Sequence, residues 1–255
     1  MLAEQRRGLI LSIVAEKGAA SIADLHRRLK VSRETIRRDL TRLDRENRLL
    51  KTHGGALSRD TVEPAFVERM SVNAEGKRAI GRAAAALVPD GATVILDSGT
   101  TIQGLVEALM NARRLTIITN DIQAATRMAG RNENRVLMLG GEVVAGEGAV
   151  MGRDATAMLG TYFADFSFVG AGALSTHPWL MDFSREAAEI RGQMLAMARW
   201  PVVLADHTKF GRTAPVRVPN LERVRHIVVD KAPGGAFADA LKRLDAEVLV
   251  AETIA

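Results

Sequence analysis

Residues 31–55 read VSRETIRRDLTRLDRENRLLKTHGG, and their pattern sets the expectations for the whole chain. Ser32 is placed to cap a helix, with Arg33, Glu34, Thr35, Arg37 and Arg38 following inside it. At about 100° per residue, Ile36, Leu40 and Leu43 share one face, while Arg33, Arg37, Arg38 and Thr41 fall on another. The apolar face can pack on a scaffold and leave the basic face free to enter a major groove. The helix is expected to run to about Asn47. Leu49–Lys51 reads as a short strand and His53-Gly54-Gly55 as a turn, so that Lys51 and His53 sit on a wing that can meet phosphate.

Upstream, a first helix is expected over about 4–17, with Leu9, Ile10, Ile13 and Val14 on one side and Gly18 ending it. Ser21 and Asp24 have the spacing of a helix start, and His26 on that second helix is expected to face solvent. Three helices and a hairpin predict a winged helix-turn-helix over residues 1–57. Charge placement agrees. The net charge is +5, yet residues 1–60 hold 14 Lys/Arg against 8 Asp/Glu, and residues 61–255 hold 21 against 22. The basic balance belongs entirely to the N-terminal segment, as expected when one domain meets phosphate and the other does not.

The composition, 47% hydrophobic and 25% charged over 255 residues, is that of a globular protein with room for a second, larger domain. No apolar run approaches the length of about 18 residues that a membrane helix needs, and the N-terminus is too charged for a secretion signal. With no cysteine there is neither disulfide nor thiolate ligand. His26, His53, His177, His207 and His226 are scattered, with no metal-ligand spacing. No metal site, cofactor or membrane partner is expected, and a cytoplasmic location is the default.

Residues 58–73 (SRDTVEPAFVERMSVN) lack periodicity and read as a linker that packs through Phe66, leaving 74–255 as the second domain. There an Ala-rich helix (74–87) precedes β-branched runs at 92–97, 115–120, 135–139, 165–170, 201–206 and 226–230. Helical patterns fit near 102–112, 121–130, 185–199 and 235–244. Near-continuous apolar strands separated by helices predict an α/β domain with a mostly parallel sheet covered on both faces. Polar and glycine residues gather where those strands end: Asp97-Ser98-Gly99-Thr100-Thr101, Thr119-Asn120-Asp121, Gly140-Gly141, Gly170-Ala171-Gly172 and Asp206-His207-Thr208-Lys209. Ligands of open α/β sheets bind outside the carboxyl ends of strands. A Gly-Thr-Thr turn at a helix start offers N–H groups, hydroxyls and a positive dipole end to a phosphate, and Lys209 adds a point charge. Asp97, Asn120, Glu186 and His207 offer partners for hydroxyls, and Arg212 braces or joins the same loop.

Together these motifs resemble the DeoR family of bacterial transcriptional regulators over essentially the whole chain. The resemblance is carried by Val31-Ser32, Thr35-Ile36-Arg37-Arg38-Asp39-Leu40 and Thr52-His53-Gly54-Gly55-Ala56. In the second domain it is carried by Asp97-Ser98-Gly99-Thr100-Thr101, Thr119-Asn120, Gly140-Gly141, and Asp206 with Lys209-Phe210. It implies an oligomeric repressor, dimer or tetramer, of carbon-metabolism genes, held on double-stranded operator DNA and released by a phosphorylated metabolite. It also implies a sensor fold similar to ribose-5-phosphate isomerase and coenzyme A transferases. Glu186, after Ser184-Arg185, resembles the isomerase's catalytic glutamate. That isomerase places acids just after the strand that here ends Val169-Gly170-Ala171-Gly172-Ala173, and Gly and Ala perform no acid–base work, so enzymatic activity is not expected. Asp182-Phe183-Ser184-Arg185-Glu186 and Asp206-His207-Thr208-Lys209-Phe210-Gly211-Arg212 resemble the members that govern glycerol 3-phosphate genes, which implies that effector. Ser98 and Ser175-Thr176-His177-Pro178-Trp179 depart from that subgroup. Another sugar phosphate, an activator, or an isomerase with an accessory DNA-binding domain are the alternatives.

Overall fold

Ser21 and Ser32 start the two helices that the sequence assigns to them. The Ser21 hydroxyl accepts from the Asp24 N–H at 3.0 Å and the Ser32 hydroxyl from the Thr35 N–H at 3.1 Å, each meeting an N–H that a helix start leaves unpaired. The computed structural model describes residues 2–46, 48–58, 63–177 and 179–252, in two units, Met1–Pro64 and Ala65–Ala255. The first unit runs α1 (Ala3–Lys17), β1 (Ala19–Ser21), α2 (Ile22–Leu29), α3 (Arg33–Arg45), β2 (Leu50–Lys51) and β3 (Gly55–Leu57). Gly18, at φ +72°, ends α1. The strand β1 was not legible as such. It pairs with β3, giving a small antiparallel sheet in the order β1-β3-β2. The helix α3 ends at Arg45, and Asn47, its expected end, lies outside the described residues.

Ile36, Leu40 and Leu43 are fully buried with Ile10, Val14, Leu25 and Leu49, as their spacing requires, whereas Leu9 is exposed. Asp39, inside the family-like motif, is buried on that same inward side, where Arg6 grips it through Nε at 2.5 Å and a second nitrogen at 3.2 Å. A paired charge thus fastens α1 to α3 beside the apolar contacts. His26 does not face solvent: its Nδ1 lies 2.7 Å from the Val31 carbonyl, to which it must donate, closing the turn between α2 and α3.

The expected linker over 58–73 is instead divided. The Ser58 N–H bonds the Gly18 carbonyl in the first unit, and Phe66–Ser71 forms a short helix, α4, in the second, with Phe66 and Arg69 buried. Then follow α5 (Ala74–Ala85), β4 (Thr93–Leu96), α6 (Thr100–Ala108), β5 (Thr116–Thr119), α7 (Ile122–Met128), β6 (Arg135–Met138), β7 (Glu142–Val144), β8 (Ala149–Met151), α8 (Arg153–Leu159) and β9 (Ala164–Val169). The rest is β10 (Ala173–Leu174), β11 (Leu180–Asp182), α9 (Arg185–Ala196), β12 (Ala198–Ala205), β13 (Val216–Arg217), β14 (His226–Val229), α10 (Gly235–Leu241) and β15 (Glu247–Val250).

Seven strands form one parallel sheet in the order β15-β14-β12-β9-β4-β5-β6. The chain steps outward from β4 to β6, returns to β9 on the other side of β4, and steps outward again. The reversal between β4 and β9 is the topological switch point, the place beyond whose strand ends ligands of open α/β sheets bind. Alternation along each strand feeds two cores. Val94 and Leu96 pack with Ile80, Ile102 and Met128 on one face, and Ile95 packs with Leu159, Ile190 and Phe237 on the other. The hairpin β7–β8 and the small antiparallel sheet β10-β11-β13 were not foreseen, because strands of two or three residues carry no readable alternation.

The helices α5 and α6 meet backbone to backbone. A Cβ on Gly81 would fall 2.2 Å from the Gly104 carbonyl oxygen, and one on Gly104 would fall 2.5 Å from that of Lys77. This contact brings Lys77 and Thr100 to the rim of one hollow. Gly81→Ala should force the helices apart and destabilise the chain by about 1–3 kcal/mol, read as an earlier urea midpoint; an unchanged midpoint would show that the contact yields freely.

Candidate functional site

On the outer side of α3, Arg33, Glu34, Arg37 and Arg38 are exposed, and Thr35 is half-buried under the Ser32 cap. Glu34 lies 3.7 Å from Arg37 and 3.4 Å from Arg38. The wing is tied to this helix through Lys51, whose Nζ donates to the Thr41 hydroxyl at 2.7 Å and whose backbone N–H donates to Asp44 at 3.1 Å. His53 is exposed in the turn between β2 and β3. The result is a basic face with the apolar residues of the same helix turned away from it.

In the second unit, Asp230, Asp206, Gly170, Asp97 and Asn120 follow adjacent strands β14, β12, β9, β4 and β5, forming a row along one end of the sheet. Asp97, fully buried, spends one oxygen on the Gly170 N–H at 2.9 Å and Arg191 Nε at 2.7 Å. Its Oδ1 has no partner among the described residues. Asn120 donates to the Val150 carbonyl at 3.1 Å and leaves its Oδ1 without a partner. Asp206 accepts from the Thr208 N–H and hydroxyl through Oδ1, and its Oδ2 likewise has none. Three buried acceptors left unused at the switch point are costly unless a donor reaches them.

Beside them, Ser98, Thr100 and Thr101 are more than nine-tenths buried, and their hydroxyls have no hydrogen-bond partner among the described residues. Gly99, at φ +123°, turns the chain from β4 into α6 and leaves the first N–H groups of that nine-residue helix uncapped by any side chain. Lys209 is buried in the loop after Asp206. His207 bonds Asp230 through Nδ1 at 2.6 Å, and Arg212 lies over the Phe183 ring at 5.9 Å.

Not every expected residue joins this set. The Thr119 hydroxyl donates to the Leu96 carbonyl and accepts from the Asp121 N–H, so it pegs β5 to β4. Gly140 and Gly141 are exposed beyond the edge strand β6, where they turn the chain into the β7–β8 hairpin. Arg185 and Glu186 point outward from the first turn of α9. Arg185 is held by Glu189 one turn on, and both line a hollow with Glu142, Arg153 and Gln193 to which none of the buried acceptors contributes.

Other residues were missed. Arg191, on the otherwise apolar side of α9, bridges Asp97 and Asp182, all three being buried. An arginine amid Ala187, Ala188, Ile190, Met194 and Leu195 was the available signal. Asp230 ends a strand as Asp97 and Asp206 do, and it accepts from Asn73 at 2.8 Å. Lys77, also buried, donates to the Arg69 carbonyl at 2.5 Å; burial holds its ammonium below the ordinary lysine value, and Asp206 works against that shift. Burial pushes up the Asp121 carboxyl, which caps α7 and accepts from Gln103 at 2.8 Å.

A recognition helix with its wing, followed by an α/β unit with a row of buried polar residues at its strand ends, is the layout of a transcriptional regulator with a second domain. Residues 6–62 match the DeoR-like helix-turn-helix domain and residues 72–231 the DeoR C terminal sensor domain, so the chain belongs to the DeoR family. It is 31% identical to the HTH-type transcriptional repressor CsqR of Escherichia coli (strain K12), over 96% of this chain and 94% of that one. It is 30% identical to the glycerol-3-phosphate regulon repressor of the same organism, over 90% and 91%. With the HTH-type transcriptional repressor GlcR of Bacillus subtilis (strain 168) it shares 31%, over 99% and 98%. The chain is a transcriptional repressor of DeoR type, as these relatives are. Solved structures with partial likeness include ribose 5-phosphate isomerase A from Methanocaldococcus jannaschii (21% identical, TM-score 0.38, over 52% of this chain and 53% of that one). Another is a probable sor operon regulator from Shigella flexneri (15%, 0.38, over 58% and 81%). Among the described residues, no helix is long and apolar enough to cross a membrane.

Asp230 provides a pH test of the strand-end network. Burial opposes its charge, but hydrogen bonds from His207 and Asn73 outweigh that and hold its carboxyl below the usual range. A folded value below the unfolded one contributes stability that is complete above about pH 4 and is lost as pH falls through the folded value. Asp230→Asn should therefore be less stable than the parent at pH 7 in urea unfolding, and the gap should close as the pH is lowered below about 4. A gap that persists unchanged into acid contradicts the network.

Proposed function

We propose that this repressor binds a double-stranded operator of carbon-metabolism genes through α3 and its wing, and lets go when a phosphorylated metabolite enters the strand-end crevice. In the first unit, Arg33, Glu34, Thr35, Arg37 and Arg38 reach base edges or phosphates, with Ser32 at the helix start and Lys51 and His53 on the backbone. The observation that carries the second half is the pairing of two kinds of unused group. The hydroxyls of Ser98, Thr100 and Thr101 and the start of α6 suit a phosphate, with Lys209 as its cation. The free oxygens of Asp97, Asn120 and Asp206 suit the hydroxyls of the same molecule. The functional division follows the structural one at residues 64 and 65. A dimer or tetramer fits paired half-sites on DNA.

Glycerol 3-phosphate is the effector named first, supported by the named relative and by the Asp182–Glu186 and Asp206–Arg212 segments. A second reading, a five- or six-carbon sugar phosphate, draws on the row itself. From Asp206 to Asn120 it crosses three strand spacings, about 14 Å, longer than a three-carbon phosphate extends. Thr100→Val keeps the shape of the site and removes one hydroxyl. It should bind operator normally yet need at least tenfold more effector for release, measured by titrating the operator complex with glycerol 3-phosphate and then with pentose and hexose phosphates. Release at the parental concentration would show that the phosphate lies elsewhere. Release by a hexose phosphate and not by glycerol 3-phosphate would replace the effector and leave the repressor intact.

A further inference from the structure

Among the described residues, Glu34 is the only acid lining the hollow on the outer face of α3, which it shares with Arg37, Arg38, Arg42, Arg45 and Lys51. Ile36, Asp39, Leu40 and Leu43 mark the inward side of that helix. At 3.6 residues per turn, the positions opposite them are Glu34, Arg38, Thr41 and Arg45, with Arg37 and Arg42 on the flanks. Glu34 also lies in the first turn, the part of a recognition helix that reaches base edges. Its side chain is 61% exposed, and its carboxylate stands 3.4 Å from Arg38 Nε.

A carboxylate in that place works against binding, because every nearby phosphate repels it. Its pairing with arginines on the same exposed helix returns little. The loss is offset where the carboxylate accepts a hydrogen bond from a base. In the major groove cytosine presents an amino donor, and its partner guanine presents two acceptors beside it. A C·G pair is therefore complementary to a carboxylate next to a guanidinium, which is what Glu34 and Arg38 present.

We propose that Glu34 and Arg38 read one C·G base pair of the operator half-site as a unit, Glu34 accepting from cytosine N4 and Arg38 donating to guanine O6 and N7. The inference rests on the docking of α3 in the major groove. The full-length parent, Glu34→Ala and Arg38→Ala would each be used to select binders from random duplex DNA. The parent should return a motif with a fixed C·G pair in each half-site. Both variants should relax that one pair, with discrimination there falling about tenfold or more, and should keep the other positions. Glu34→Ala should hold unrelated DNA at least as well as the parent, whereas Arg38→Ala should hold it less well. An unchanged motif from Glu34→Ala, or relaxation of different base pairs by the two variants, overturns the proposal. A parent that enriches no sequence overturns the docking of α3 and the proposal with it. Both side chains are exposed, and matching thermal melts would show that fold is not the cause.

Discussion

The buried Arg191, held between Asp97 and Asp182, sits where the strand order of the main sheet reverses and links it to β11 of the small sheet β10-β11-β13. Each aspartate ends a strand, so the one guanidinium ties β4, β11 and α9 at a single point. Charges this deep are tolerable only when paired, and removing one partner of such a set typically costs about 3–5 kcal/mol. The same pairing fixes the Asp97 carboxylate with one oxygen satisfied and the other free. The strand-end row is thus polar because the fold ties Asp97 to Arg191, and one Asp97 oxygen is left over because the pairing uses only half of that carboxylate.

In the N-terminal unit a smaller version of the same device operates. Asp39 lies on the inward side of α3 and draws Arg6 of α1 onto it, with Arg7 3.8 Å away. These two arginines are spent on structure, whereas Arg33, Arg37 and Arg38 stay exposed. The sequence RRDL therefore divides its charges: the arginines face outward and the aspartate faces in. Net charge alone does not distinguish these roles, but helical periodicity does.

The recognition helix, its caps and six of the seven main strands were legible because apolar runs, periodicities and Ser/Asp caps are local signals, whereas β15 and the order of the strands in the sheet were not. The strand-end residues were legible in part for the same reason. Asp97, Asn120 and Asp206 follow runs such as VIL and VVLA, which can only be buried strands. Arg191, Asn73 and Lys77 were not legible. Two of them meet their partners across the fold, Arg191 at Asp97 and Asn73 at Asp230, and no sequence interval encodes that distance; Lys77 meets the Arg69 carbonyl from the short helix that was not foreseen. Thr119, Gly140, Arg185 and Glu186 lie apart from the buried acceptors. Their types suit a ligand, but a neighbouring carbonyl, a turn and an exposed helix face account for them. The helix α4 hid inside an expected linker because six residues are too few to establish a period.

If one molecule couples crevice and operator, the coupling is reciprocal, since the effector can weaken DNA binding only as far as DNA weakens effector binding. The most direct measurement is calorimetry of the effector that releases the operator, on the full chain alone and on the chain saturated with operator DNA. The affinity should fall in the complex by the same factor as the effector lowers operator affinity. Equal affinities with and without DNA would contradict a crevice that governs the grip on the operator.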